Sequence, residues 1–196
     1  MTITAGALLL AFLSYRETQQ LRVENQTLRV KLGALDIKDP KKMYARAAET
    51  LGDREWRWRF YVPRKHWFRL HTILEKIPIS GLIDGNSGSF ELDAGEYEIQ
   101  VAAKKGKAGI CDVVIVPPKG RTIFSIEEAH AQWIIGGSFD TSGVTETTSE
   151  YEPGNPIEFL RLRQSMKISN GSMTDPNPCD GLLIWMQEIA DPNAAP

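Results

Sequence analysis

The chain has 196 residues, 24% of them charged, and a formal net charge of −2, so no global charge bias points to nucleic acid or to an acidic substrate. With residues 1–36 set aside as a separate rod, the remainder is long enough for one ordinary domain with its own core.

The rod begins with Ile3 to Leu13, which contains only Ile, Thr, Ala, Gly, Leu and Phe, and the first charge after it is Arg16. That segment can sit in hydrocarbon, but a bilayer core of about 30 Å needs about 20 helical residues. A cleaved signal peptide fits poorly, because nothing basic precedes Ile3 and because Phe12, Leu13 and Tyr15 crowd the cut site. The reading favoured is a single-pass signal anchor over residues 1–15 whose span is shortened, for example by a true start upstream of Met1; a soluble helix packed on the domain is the alternative. The nearby cations, Arg16, Arg22, Arg29 and Lys31, all lie C-terminal to the apolar run. Counted literally they place the domain in the cytoplasm, whereas charges upstream of Met1 reverse that count, and an extracytoplasmic domain is the expectation retained.

Residues 16–36 read as a short coiled-coil stalk. Leu21, Leu28 and Leu35 recur every seven residues; taking them as d places Thr18, Asn25 and Leu32 at a, with Asn25 where a buried amide selects a parallel dimer. The pairs Glu17/Arg22, Glu24/Arg29 and Lys31/Asp36 are of opposite sign across that seam. The expected seam is Leu21, Asn25, Leu28, Leu32 and Leu35, joining a parallel homodimer or a hetero coiled-coil partner. Val23 and Val30 fall outside it, so a single amphipathic helix remains the competing reading.

Asp39-Pro40 followed by Gly52 predicts a connecting helix over 37–53. The head then spans 54–190. Trp56, Trp58, Phe60 and Val62 alternate with Arg57, Arg59 and Tyr61, the period of a half-buried strand, and Pro63 ends it. His66 to Leu74 reads as its hairpin partner, with Phe68, Leu70 and Leu74 on one face and Trp67, Arg69 and His71 on the other. Ile77 to Gly88 is turn chemistry.

Phe90-x-Leu92-x-x-Gly95-x-Tyr97-x-Ile99-x-Val101 alternates on both sides of a glycine turn. Over these dozen residues the chain resembles the corner of small immunoglobulin-like and prealbumin-like sandwiches, such as carboxypeptidase-regulatory-like modules. The resemblance implies a β-sandwich and no activity.

Further strands are expected at Ile110 to Val116, buried on both faces, at Thr122 to Ile126, at Trp133 to Ile135, at Ile157 to Met166 and at Leu182 to Ile189. Gly136 to Pro156 lacks periodicity and is long for a loop, so it is mobile or functional. The tail 191–196 is expected to be disordered. With no βαβ alternation, the class is mainly β: a single antiparallel β-sandwich preceded by a long N-terminal helix.

No catalytic constellation stands out. The three histidines lack zinc spacing, no nucleophile elbow or phosphate loop follows a strand, and no metal or cofactor is expected. Glu91, Asp93, Glu96 and Glu98 cluster in sequence and leave a carboxylate-based hydrolase as the opposing reading, although acids alternating with apolar residues are usually the wet side of a strand. Cys111 and Cys179 each precede an apolar run, and a bridge between them could contribute about 4 kcal/mol in the chain-entropy model. Trp and Arg interleave from Arg54 to Arg69; the alternation turns Trp56, Trp58 and Phe60 inward and leaves Arg57 and Arg59 as a solvated face, and Tyr61 and Trp67, read as exposed beside Arg64 and Arg69, are the ligand-binding candidates. The expected protein is a membrane-anchored, dimeric binding or scaffolding protein, not an enzyme, whose head takes a carbohydrate or envelope polymer and no nucleic acid.

Overall fold

The computed structural model describes residues 15–21, 24, 33–50, 52, 54–83, 88–107, 109–118, 120–168, 171–173 and 177–191. The chain divides into two units, Met1–Asp36 and Ile37–Pro196. In the first, residues 15–21 and Glu24 are helical, and Leu21 is exposed. The anchor segment 1–14 and the seam residues Asn25, Leu28 and Leu32 lie outside the described residues. Leu35 does not belong to a helical seam: Gly33 takes a left-handed φ of 80° and residues 34–37 have no helical backbone. No helix among the described residues is long and apolar enough to cross a membrane.

The second unit is mainly β. Its strands are β1 (Met43–Ala48), β2 (Glu55–Val62), β3 (Trp67–Ile77), β4 (Gly88–Leu92), β5 (Gly95–Lys105), β6 (Ile110–Val116) and β7 (Thr122–Glu127). A helix, α1 (Glu128–Ile135), follows, then β8 (Phe139–Gly143), β9 (Ser149–Tyr151), β10 (Ile157–Gln164), β11 (Met166–Ile168), β12 (Gly171–Met173) and β13 (Cys179–Ile189). One sheet has the order β7-β6-β5-β2-β1-β9, the second β4-β3-β13-β10-β8, and β11-β12 form a small ribbon. Every pairing between described strands is antiparallel.

The two large sheets bury one core between them. Trp58, Phe60 and Val62 of β2 and Ile99 and Val101 of β5 face Phe68, Leu70, Phe159, Leu162, Leu182 and Ile184 of the second sheet, all at most 2% exposed. The Phe60 and Phe159 rings meet across the gap at 5.0 Å. The period of two dictates this: alternate residues of β2 turn inward, leaving Arg57, Arg59 and Tyr61 half-buried on the outer face.

Several expectations are corrected. The predicted connecting helix 37–53 contains strand β1 instead. Met43 to Ala48 has good helix formers, but pairing with β2, from Tyr44 opposite Tyr61 to Ala48 opposite Arg57, overrides that preference. Asp39 caps a turn rather than a helix, its Oδ1 accepting from Lys41 N–H at 2.9 Å. On the other side β1 is fastened to β9. Lys42 Nζ lies 2.5 Å from Glu150 and 2.8 Å from Glu152, and Tyr44 OH donates to Glu150 at 2.9 Å. Those bonds, Lys42 first and Tyr44 second, hold the Glu150 carboxyl below the usual range.

β2 and β3 do not form a hairpin. They belong to different sheets, and the chain crosses at Pro63–His66, where Lys65 takes φ 69°. A second crossing follows β4, which pairs with β3 while β5 pairs with β2. Tyr97 OH donates back to Asp93 O at 3.0 Å and ties this corner. β6 is buried on one face only, through Cys111, Val113 and Ile115.

Trp133 to Ile135 is helical rather than extended. Glu128-Ala-His-Ala-Gln ahead of it favours a helix, and Ala131, Trp133 and Ile134 of α1 enter the core. Gly136 and Gly137 stop the helix, both N–H groups donating to Gln132 O at 3.0 and 2.7 Å. The stretch 136–156 is not a plain loop, since it contains β8 and β9. Cys111 and Cys179 are buried thiols outside any disulfide, on strands of different sheets. Cys111 sits opposite Ile126, and Cys179 sits opposite Ile77 and donates to Gln164 O at 3.4 Å, so no bridge joins them.

A second apolar cluster lies on the outer face of the five-stranded sheet: Ile73, Ile77, Leu183 and Trp185, with Ile83 packed against it. His71, opposite Trp185, stacks on the indole at 4.8 Å and 8°. Both its ring nitrogens are buried without a hydrogen-bond partner among the described residues. Burial, and secondarily the Arg69 charge, push the His71 pKa down. The folded state therefore favours the neutral ring, so its contribution is complete above the unfolded value, about 6.5, and is lost as the pH falls through the depressed folded value. His71→Phe, which keeps a stacking ring and removes the titration, is expected to flatten the fall in melting temperature between about pH 7 and pH 5; melting curves across that range check it.

Candidate functional site

A cleft of about 560 Å³ opens between the two sheets where β1 ends, β2 begins and β8 passes. It exists because side chains are missing there. Ala47, Ala48 and Gly52 line one wall and Gly143 the other. Gly143 takes φ 131°, and a Cβ on it would stand 2.3 Å from Phe159 O, so only glycine lets β8 approach β10 this closely. The walls are bridged by Ala47 N–H donating to Thr145 O at 2.7 Å, while Val144 N–H donates to Phe159 O at 3.3 Å.

The floor is aromatic. Trp58 and Phe159 are almost fully buried, with rings 6.3 Å apart, and half-buried Trp56 meets Phe139 edge-on at 5.8 Å. Phe139 is held from the far side by Arg54, whose guanidinium carbon lies 4.6 Å from the ring centroid. The rim is polar: Thr50, Thr141 and Thr145 supply hydroxyls and Glu55 and Glu146 carboxylates, while Ser142 and Arg57, which also border the opening, turn their side chains to the outer faces, the Ser142 hydroxyl donating to Glu158 at 3.2 Å. Arg57 Nε is buried without a hydrogen bond, 3.4 Å from Glu98 Oε1. Glu98 also pairs with Arg59 at 3.1 Å.

This lining has an indole face, several hydroxyls and an excess of carboxylates over cations. It suits a ligand with apolar faces and many hydroxyls better than a polyanion. Among the described residues no three of His, Cys, Asp and Glu come together to hold a metal ion.

The four ligand-binding candidates do not share one surface. Tyr61 is on the outer face of the six-stranded sheet, its OH donating to Pro40 O at 3.0 Å and its ring 6.5 Å from Tyr44. Arg64 is exposed on the crossing turn. Trp67 and Arg69 alternate with buried Phe68 and Leu70, so both lie on the outer face of the five-stranded sheet; Trp67 is half-buried and Arg69 pairs with Glu91 at 2.7 Å. The acids clustered in sequence are divided as well. Glu91 is on β4 of one sheet, Glu96 and Glu98 on β5 of the other, and Asp93 at the corner between them.

Sequence reasoning missed the cleft because Trp56 was counted with the core and Thr141 to Glu146 with a stretch that had no period. The available signal was the hydroxyl-rich composition of that stretch, too long for an idle loop. In comparisons with known proteins, no protein family, no curated protein and no solved structure matches this chain.

Proposed function

We propose that this chain is a binding protein whose β-sandwich head takes a segment of a neutral, hydroxyl-rich polymer, a glycan of an envelope layer, in the cleft between β1–β2 and β8. The observation that carries the reading is the cleft itself: the half-buried Trp56 indole, backed by buried Trp58 and Phe159, under a rim of hydroxyls and carboxylates. Sugar rings stack their apolar faces on indoles and direct their hydroxyls to such acceptors. The apolar run Ile3 to Leu13 and the leucine spacing after it support a membrane tether and a paired stalk that hold the head near its ligand.

Titration calorimetry of the full chain with cellohexaose and chitohexaose tests the reading. One of the two is expected to bind, and both Trp56→Ala and the rim variant Glu146→Gln are expected to weaken that binding at least about tenfold, or about 1.4 kcal/mol. Glu146 is exposed, so its loss leaves the fold intact. Binding unchanged in both variants, or no binding of either probe, overturns the assignment.

A further inference from the structure

We infer that β7, whose outer edge pairs with no other strand among the described residues, pairs with β7 of a second copy of this chain, joining two six-stranded sheets across a two-fold axis. The inference is independent of the cleft, which lies at β1, β2 and β8.

The edge strands of the two large sheets are β7, β9, β4 and β8. Three of them are guarded. β9 has three residues, β8 ends at Gly143 with φ 131°, and β4 begins at Gly88 and carries within it a charged Glu91 engaged by Arg69, whereas the one charge of β7, Glu127, stands at its end. β7 is six residues, Thr-Ile-Phe-Ser-Ile-Glu, with no proline, glycine or lysine. Its outer face is open and mixed, with Ser125 and Glu127 beside one exposed apolar residue. Ile123 is 48% exposed, and Val116 and Ile110 of the neighbouring β6 are 40% and 39% exposed. Such an edge is a template for another strand.

The backbone fixes which groups are free. Glu128 N–H donates to Gly109 O at 2.7 Å, continuing the ladder in which Glu127 stands opposite Ile110. Antiparallel pairs alternate between bonded and non-bonded, so Thr122, Phe124 and Ile126 turn their N–H and C=O toward β6. Ile123, Ser125 and Glu127 turn theirs outward. A partner strand must match these outward groups with its own and keep core-facing residues on the core side, which limits a two-fold pairing to registers centred on one residue.

Charge selects among the registers. Centred on Phe124, Arg121 of each copy stands opposite Glu127 of the other, and Ile123 opposite Ser125. Centring on Ile123 or on Ser125 brings Arg121 opposite Ser125 or Ala129 and forms no such pair. Arg121 and Glu127 are both exposed and free to meet, and the opposite charges recur on both sides of the axis. The contact closes on itself, because β7 is consumed in each copy and the other edge of that sheet is the short β9.

Amide hydrogen exchange on the full chain reads this edge directly, whatever the N-terminal unit does. The amides of Ile123 and Ser125 are expected to gain at least about tenfold protection as protein concentration rises. Arg121→Glu is expected to abolish that gain, and the swap Arg121→Glu/Glu127→Arg to restore it. Free exchange of both amides at every concentration overturns the proposal. So does protection that is independent of concentration, which marks a different occupant, or protection indifferent to Arg121→Glu.

Discussion

Replacing Arg161 with Met is expected to destabilise the head by about 3 kcal/mol, the cost of losing a half-buried ion pair together with two charged hydrogen bonds to backbone carbonyls. Arg161 is 4% exposed, on the outer face of the five-stranded sheet. Its Nη2 lies 2.5 Å from Glu158 Oε2 and donates to Gly81 O at 2.8 Å, and Nη1 donates to Pro78 O at 2.7 Å. One side chain therefore straps the segment after β3 onto the sheet, over Ile73, Ile77, Leu183 and Trp185. Neighbouring Arg163 adds to the strap, donating to Ile77 O at 3.0 Å and Asn177 O at 2.7 Å. Met preserves most of the volume but leaves two carbonyls and a carboxylate without their donor. Urea denaturation should show the loss, and proteolysis should begin at residues 78–83. Adding Glu158→Gln should recover part of it, because the uncompensated charge is gone. A loss below about 1 kcal/mol, the scale of an exposed pair, contradicts this account.

Gly181→Ala carries the second large effect. Gly181 lies in β13, between β3 and β10. A Cβ there meets Leu162 O at 2.3 Å and Ile77 Cγ1 at 2.8 Å, so two strands must move apart to admit a methyl group. Overpacking of this kind costs about 3 kcal/mol, or roughly 6–12 °C in melting temperature for a domain of this size. Gly52→Ala is the matched control: its nearest atom would be 3.6 Å away, an ordinary contact, and its melting temperature should stay within a few degrees of the parent. Equal shifts for the two variants contradict the packing described for β13.

Where side-chain period alone decides structure, the sequence was readable. Trp56, Trp58, Phe60 and Val62 announce β2 and its inward face, and Leu92-x-x-Gly95-x-Tyr97 announces a corner. The period says nothing about which sheet a strand joins. The short turn at Pro63 looks like a hairpin and is a crossing between layers. Met43 to Ala48 and Trp133 to Ile135 were misread for the same reason in opposite directions, since each local preference yields to the neighbours it packs against. In the first, strands on either side impose extension. In the second, a helix-forming run and two glycine stops carry aromatic and branched residues into a helix.

The site was less legible than the fold. The cleft is made by the smallness of Ala47, Ala48, Gly52 and Gly143, and small residues have no periodic signature. Its rim comes from distant segments, Thr50, Gly52, Glu55 and Trp56 on one side and Thr141 to Glu146 on the other, which the bond from Ala47 N–H to Thr145 O and the pairing of β1 with β9 bring to one opening. Tyr61, Arg64, Trp67 and Arg69 were singled out because aromatic and cationic residues are adjacent in sequence there. Two strand crossings disperse that adjacency over two sheets.

The most direct test of the central claim is an amide chemical-shift titration of the full chain with whichever of cellohexaose or chitohexaose binds. The account predicts saturable shifts concentrated at Trp56, Arg57 and Thr141 to Glu146, together with the Trp56 indole N–H. Shifts confined to Trp67, Arg69 and Glu91, or spread without saturation over the outer faces, would contradict a glycan site in the cleft.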